Sequence, residues 1–304
     1  MDINKYAGII PAFYACYDKN GNINPEAVRK FTVHLMNKGV KGLYVGGSSG
    51  ECIYHSVAER KLVLENVMKE AKGKVTVIAH VACNNTADSC ELAAHAESLG
   101  VDAIAAIPPI YFHLPDYAIA DYWNAISASA PNTDFIIYNI PQLAGVALSP
   151  ACLKQMLNNP RVIGVKNSSM PSVDIQTFKA IGGQDFVVFN GPDEQLAAGL
   201  AMGAAGGIGG TYGVMPELYI AIKDRMDRGD VKGACALEFR ANEIIAKLCS
   251  CHGNLYAVMK EIIKMREGLD LGSVRSPLPA LTEEDMPRVK EAAELIDRVL
   301  ASIG

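Results

Sequence analysis

None of the eight cysteines, at positions 16, 52, 83, 90, 152, 235, 249 and 251, forms a CxxC pair. A redox dithiol and a zinc ribbon are therefore both excluded, and the thiols are expected to be reduced and mostly buried in a cytoplasmic protein. Cys249-Ser250-Cys251-His252 alone resembles half of a metal site, and no second half completes four ligands, so no metal is expected. The chain also lacks a Lys/Arg cluster, and its formal net charge is −5, which argues against nucleic acid as a partner. No apolar h-region follows Met1-Asp2-Ile3-Asn4-Lys5, so a secretory signal is not expected. Residues 196–215 carry no charge over twenty positions, but seven are glycine and few are large. Such a stretch would insert weakly, and no membrane partner is expected. A dinucleotide fingerprint GxGxxG after the first apolar run is missing too.

What is present is an ordinary globular composition: 304 residues, 50% apolar and 20% charged. That suffices for one large α/β domain or two modest ones. Short β-rich runs recur at 8–14, 42–46, 75–81, 103–107, 134–139, 162–166, 186–190 and 206–209. Segments of helical period separate them. One spans 25–36, with Asn24 as N-cap and Pro25 at the first position. Others span 56–72 and 86–99, the latter stopped by Gly100. Eight such alternations predict a closed (β/α)₈ TIM barrel over residues 1–229; an open doubly wound sheet is the alternative. Four amphipathic segments follow, at 216–229, 231–250, 254–268 and 283–303, with a Pro-containing connector at 276–279. The first is expected to be the eighth barrel helix, and residues 230–304 a helical appendage.

Lys166 ends the run Val162-Ile163-Gly164-Val165-Lys166. A β-branched run of this length reads as a buried parallel strand. Burial disfavours the ammonium form, and a neutral amine is a nucleophile suited to attack a ketone and form an imine. In a barrel the site lies where the strands end. There the sequence has Gly46-Gly47-Ser48-Ser49-Gly50-Glu51, a turn that with a following helix would bind an anion. It has no Walker lysine, which makes a nucleotide improbable as a ligand. Tyr138 ends the fifth run, Asn190-Gly191-Pro192-Asp193-Glu194 follows the seventh, and Gly209-Gly210-Thr211-Tyr212 follows the eighth. Each has a plainer reading, as a packed tyrosine, a tight loop or first-turn acids. Jointly they describe a carboxylate cradle, a phenol, an amine and a polar acceptor pair around one mouth.

These motifs, together with Ile78-Ala79-His80-Val81, Pro109-Ile110-Tyr111, Tyr138-Asn139-Ile140-Pro141 and Gly207-Ile208-Gly209, resemble the pyruvate-dependent class I aldolases. The likeness to the N-acetylneuraminate lyase branch, sister to the dihydrodipicolinate synthases, runs from about residue 8 to 281. It implies that Lys166 forms the Schiff base, so that no cofactor is needed, and that Tyr138 is the general base and acid. It implies that Ser48, Ser49 and the Gly50 amide hold the α-carboxylate. Tyr111 would reach into a neighbouring subunit and join a hydroxyl relay with Ser48, in a homotetramer. Ser168, Gly191, Asp193, Glu194, Gly209 and Gly210 would line the site of the sugar. The substrates implied are a 2-keto sugar acid, N-acetylneuraminate, and pyruvate. Leu143, where the synthases carry an arginine, speaks against a dicarboxylate. Ser168 and Gly210 depart from the Thr and Ser usual in the lyases, which leaves open a sister aldolase acting on 2-keto-3-deoxygluconate. Three rivals remain from the residues alone. One is a serine hydrolase using Gly46-Gly47-Ser48-Ser49-Gly50 with His252. Another is a binding protein that forms the imine without turnover. A phosphosugar enzyme is the third, although Asp193-Glu194 would repel a phosphate.

Overall fold

The computed structural model describes residues 3–303. Its centre is a sheet of eight parallel strands, β1 (Ile9–Pro11), β2 (Gly42–Val45), β3 (Thr76–His80), β4 (Ala103–Ala106), β5 (Asp134–Asn139), β6 (Val162–Asn167), β7 (Val187–Asn190) and β8 (Gly206–Gly209). From β2 to β8 each strand pairs with the next in sequence, and β1 pairs with β8 through Ile9–Gly207, Ile10–Ile208 and Pro11–Gly209. The remaining gap closes where Ala12 bridges Tyr44 and the Phe13 N–H donates to the Tyr44 carbonyl at 2.9 Å. The result is the (β/α)₈ barrel, with eight strands where eight runs were expected. Nearly every strand position is buried, as the uncharged runs require when both faces of a sheet are covered.

The helices form where capping and period agree. Helices α1 (Pro25–Asn37), α2 (Val57–Ala71) and α3 (Thr86–Leu99) start at Asn24, Ser56 and Asn85, whose side chains accept from backbone N–H groups of the first turn. Ser56 and Glu59 complete a reciprocal capping box. The barrel continues through α4 (Asp116–Ala128), α5 (Pro141–Ala144), α6 (Pro150–Met156), α7 (Val173–Gly182), α8 (Leu196–Ala201) and α9 (Pro216–Asp227). The uncharged stretch 196–215 is thus a short helix, a strand and a turn. Among the described residues no helix is long and apolar enough to cross a membrane. Beyond the barrel come α10 (Val231–Leu248), α11 (Leu255–Glu267) and α12 (Met286–Ala301), with α10 packed on α8 and α9.

Two cores result. One fills the barrel with Ile10, Tyr44, Ile78, Ile136, Tyr138, Phe189 and Ile208, and Tyr6 plugs its lower end, its hydroxyl 2.9 Å from both the Asp102 carbonyl and the Asp134 carboxylate. The other lies between sheet and helices and runs on without a break into α10–α12, through Ile244, Val258, Ile262 and Ile296. The appendage is therefore packed onto the barrel as part of one apolar interior.

Candidate active site

Strand pairing assembles the centre of the site. Tyr138 on β5 stands opposite Lys166 on β6, and Lys166 opposite Phe189 on β7. Lys166 is 4% exposed, and its amine sits 3.7 Å from the centre of the Tyr138 ring and 4.6 Å from that of Tyr44. Burial pushes the amine down to about 7, against the nearby Asp193 carboxylate, which favours the charged form. The neutral, nucleophilic form of the amine is thus accessible near neutral pH. Burial also pushes the Tyr138 phenol up to about 12, with hydrogen bonds to Ser168 and Ser48 opposing it. The phenol is a proton donor in the resting state.

Ser48 and Ser49 lie in a 3₁₀ turn, Ser48–Gly50, directly after β2. Gly46 makes the approach possible: its φ is +77°, and a Cβ there would lie 3.2 Å from the His80 carbonyl. One expectation is corrected here. The helix expected over 56–72 is found at Val57–Ala71, but Glu51 and a second 3₁₀ turn, Cys52–Tyr54, separate it from Ser48–Gly50, so the expected α-helix dipole does not point at the anion position. Anion affinity must come from local groups, the hydroxyls and the N–H groups at the start of the turn. The Gly50 N–H already donates to the Gly47 carbonyl at 3.0 Å, so a carboxylate could only share it.

On the opposite rim Asp193 is buried, and burial raises its carboxyl to about 6. The Thr211 N–H and hydroxyl donate to its Oδ2 at 2.6 and 2.7 Å, while Oδ1 has no partner. That oxygen is a buried acceptor left unsatisfied within the chain. A Cβ on Gly209 would fall 2.0 Å from it. Gly209→Ala should therefore displace Asp193, with a loss of roughly 1–3 kcal/mol in thermal unfolding alongside lost activity. Glu194 is exposed, with only its carbonyl engaged, by Asn242 at 3.1 Å. Ser168 is half-buried, its N–H donating to the Asn139 carbonyl at 2.7 Å, and the Gly191 N–H donates to the Asn167 carbonyl at 2.7 Å. A Cβ on Gly210 would sit 3.3 Å from the Ser49 hydroxyl and 3.9 Å from Asp193, so position 210 joins the two rims.

Lys166, Tyr138, Ser48, Ser49, Gly50, Ser168, Gly191, Asp193, Gly209 and Gly210 thus converge, whereas Tyr111 does not join them within one chain. It is 86% exposed, edge-on to Phe112, with a left-handed φ of +86° that costs roughly 1–3 kcal/mol for a non-glycine residue. His252 is exposed between α10 and α11, with Nδ1 3.4 Å from Asp285, while Ser48 bonds to Tyr138; no Ser–His dyad forms. Among the described residues no group of three or more His, Cys, Asp or Glu side chains could hold a metal.

The sequence reading missed two tyrosines. Tyr44 lies beside the Lys166 amine, and its place two residues before the glycine turn on an inward-facing strand position was the available signal. Tyr256, from α11, reaches the Ser49 hydroxyl at 3.2 Å, a contact across 207 positions with no local signature. His80 is neutral, pushed down to about 3 by burial and Arg60. Its Nδ1 lies 2.8 Å from the Gly46 carbonyl, and Nε2 accepts from the Ile107 N–H at 3.5 Å.

This geometry has close counterparts. An N-acetylneuraminate lyase of Mediterraneibacter gnavus is 66% identical over 295 residues, 97% of this chain and 94% of its own. One from Salmonella agona is 34% identical over 287 residues, 94% of this chain and 96% of its own. A solved Ruminococcus gnavus sialic acid aldolase, a catalytic lysine mutant, superposes with a TM-score of 0.99 at 64% identity, covering 100% of this chain and 99% of that one. The profile of the dihydrodipicolinate synthetase family matches residues 5–296, and the chain belongs to that family.

Proposed function

We propose that the protein is a class I aldolase that cleaves N-acetylneuraminate reversibly to N-acetylmannosamine and pyruvate. The observation that carries this is the Lys166 amine, buried and poised near 7 against the Tyr138 ring. The choice of sugar rests on relatives that act as N-acetylneuraminate lyases and on a solved neighbour whose name records a catalytic lysine. The neutral amine adds to the C2 ketone of the open-chain substrate and water leaves, giving an iminium. Ser48, Ser49 and Gly50 hold the α-carboxylate; Ser168, Gly191, Asp193, Glu194, Gly209 and Gly210 line the sugar chain. With the positive iminium beside it Tyr138 gives up its phenol proton, which balances the one carried off with the leaving water, and the phenolate takes the C4 hydroxyl proton as the C3–C4 bond breaks and the electron pair moves into the iminium, leaving an enamine. That proton is returned to C3, and the proton that iminium hydrolysis sets free restores the phenol, so Tyr138 ends as it began. Hydrolysis then frees pyruvate and the lysine. The iminium is the electron sink, and the reaction as proposed needs no metal or other cofactor.

Tyr111 is proposed to enter a neighbouring protomer's site in a cytoplasmic homotetramer, where contacts with that protomer would offset its strained backbone. A catalytic barrel over 1–229 and a helical appendage over 230–304 complete the proposal.

Pyruvate release, read with lactate dehydrogenase and NADH, tests the substrate. Release from N-acetylneuraminate far above that from 2-keto-3-deoxygluconate is expected, and the reverse order would overturn the sugar assignment. The acid limb is a further prediction. Below about pH 7 the amine is increasingly protonated, so kcat/KM should fall about tenfold per pH unit, and a profile flat to pH 5 would contradict this.

A further inference from the structure

Glu51 follows the Ser48–Gly50 turn with φ +52° and ψ +33°, a conformation that glycine would adopt at less cost. Its side chain accounts for its presence. The carboxylate is 0% exposed and receives the Lys260 amine at 2.8 Å, the Tyr17 hydroxyl at 2.9 Å and the Arg275 N–H at 2.9 Å. Lys260 is itself 1% exposed and also donates to the Ser273 carbonyl at 2.7 Å. The Tyr17 hydroxyl is shared with His55, 2.6 Å away, and the Arg275 guanidinium clamps Glu59 and the carbonyls of Tyr54 and Gly21. Lys260 and Arg275 belong to the C-terminal helical segment, 209 and 224 positions from Glu51. The Glu51 N–H in turn donates to the Ser48 carbonyl at 3.0 Å, so whatever fixes the side chain also fixes the turn. A buried ion pair adds little net stability over an apolar pair of similar shape, and that makes a geometric role the better account of its presence.

We infer that Glu51 and Lys260 are positioning residues, through which the C-terminal helical segment holds the Ser48–Gly50 turn in the geometry that captures the substrate α-carboxylate. This rests on the imine reading above and adds to it a dependence on the appendage. Neither side chain touches the reacting atoms. Loss of the pair should weaken carboxylate capture and leave the Lys166 amine as reactive as before.

The test is borohydride trapping on the full-length protein with two ketones, pyruvate and the carboxylate-free hydroxyacetone. Lys260→Met leaves a buried carboxylate unpaired and can fail to fold. Glu51→Gln/Lys260→Met removes both charges together and carries the test. In the double variant the half-saturating pyruvate concentration should rise roughly ten- to a hundredfold, while trapping of hydroxyacetone stays at the parent level. Unchanged pyruvate saturation, or equal losses with both ketones, would overturn the inference. The parent protein is trapped first: no label on Lys166 there would overturn the imine reading itself, whereas label there with an unaffected double variant overturns only the positioning role.

Discussion

Lys166→Met should unfold at a higher temperature than the parent at pH 7 and release no measurable pyruvate. The two effects share a cause. The folded amine titrates near 7, whereas an exposed one titrates at 10.5. Below pH 7 both states hold the proton, and the folded state bears the whole cost of a buried ammonium. Between about 7 and 10.5 the unfolded state binds more protons, so the cost fades as pH rises, and above 10.5 it is gone. Methionine has similar volume and no charge, so the variant should gain on the order of a few kcal/mol at neutral pH. The gain in Tm should shrink as the pH is raised toward 10. Activity should fall by on the order of 10⁴–10⁶-fold, because the nucleophile itself is gone. A variant less stable than the parent at pH 7 would show that the amine is better solvated than its burial implies.

Tyr138→Phe should separate the two halves of the reaction. The ring that lies under the Lys166 amine is kept, and only the hydroxyl that bonds to Ser48 and Ser168 is removed. Turnover should drop by roughly 10²–10⁴, the usual worth of a positioned acid–base group. Imine formation should survive, so borohydride with pyruvate should still label the variant. Turnover within about threefold of the parent would transfer the proton step to another group, and loss of labelling would give the hydroxyl a role in imine formation.

The barrel was legible because the strands are almost uncharged runs buried on both faces and each early helix carries its own cap at Asn24, Ser56 or Asn85. Lys166 was legible for the same reason, as a charged residue at the end of a run that allows none. Local pattern carries no information about which side chains meet across the closed barrel. The pairing of β1 with β8 and the Ala12–Tyr44 bridge decide which strand ends become neighbours, and so place Tyr44 beside Lys166. Tyr256 and Lys260 lay further out of reach, since their amphipathic helix reads as packing and only the tertiary fold brings it to Ser49 and Glu51. The dipole wrongly assigned to the glycine turn has a local cause. A left-handed residue, Glu51, ends the turn and separates it from α2, which starts at Val57 as its cap at Ser56 requires. Tyr111 shows another boundary: it is an exposed aromatic with a left-handed backbone that does not join the site within one chain, and its proposed place in a neighbouring protomer lies beyond local pattern.

Borohydride reduction of the parent protein in the presence of pyruvate, followed by peptide mass mapping, tests the central claim most directly. A reduced pyruvyl adduct on Lys166, absent without pyruvate and absent from Lys166→Met, is the predicted result. An adduct on another lysine, or none at saturating pyruvate, would contradict it.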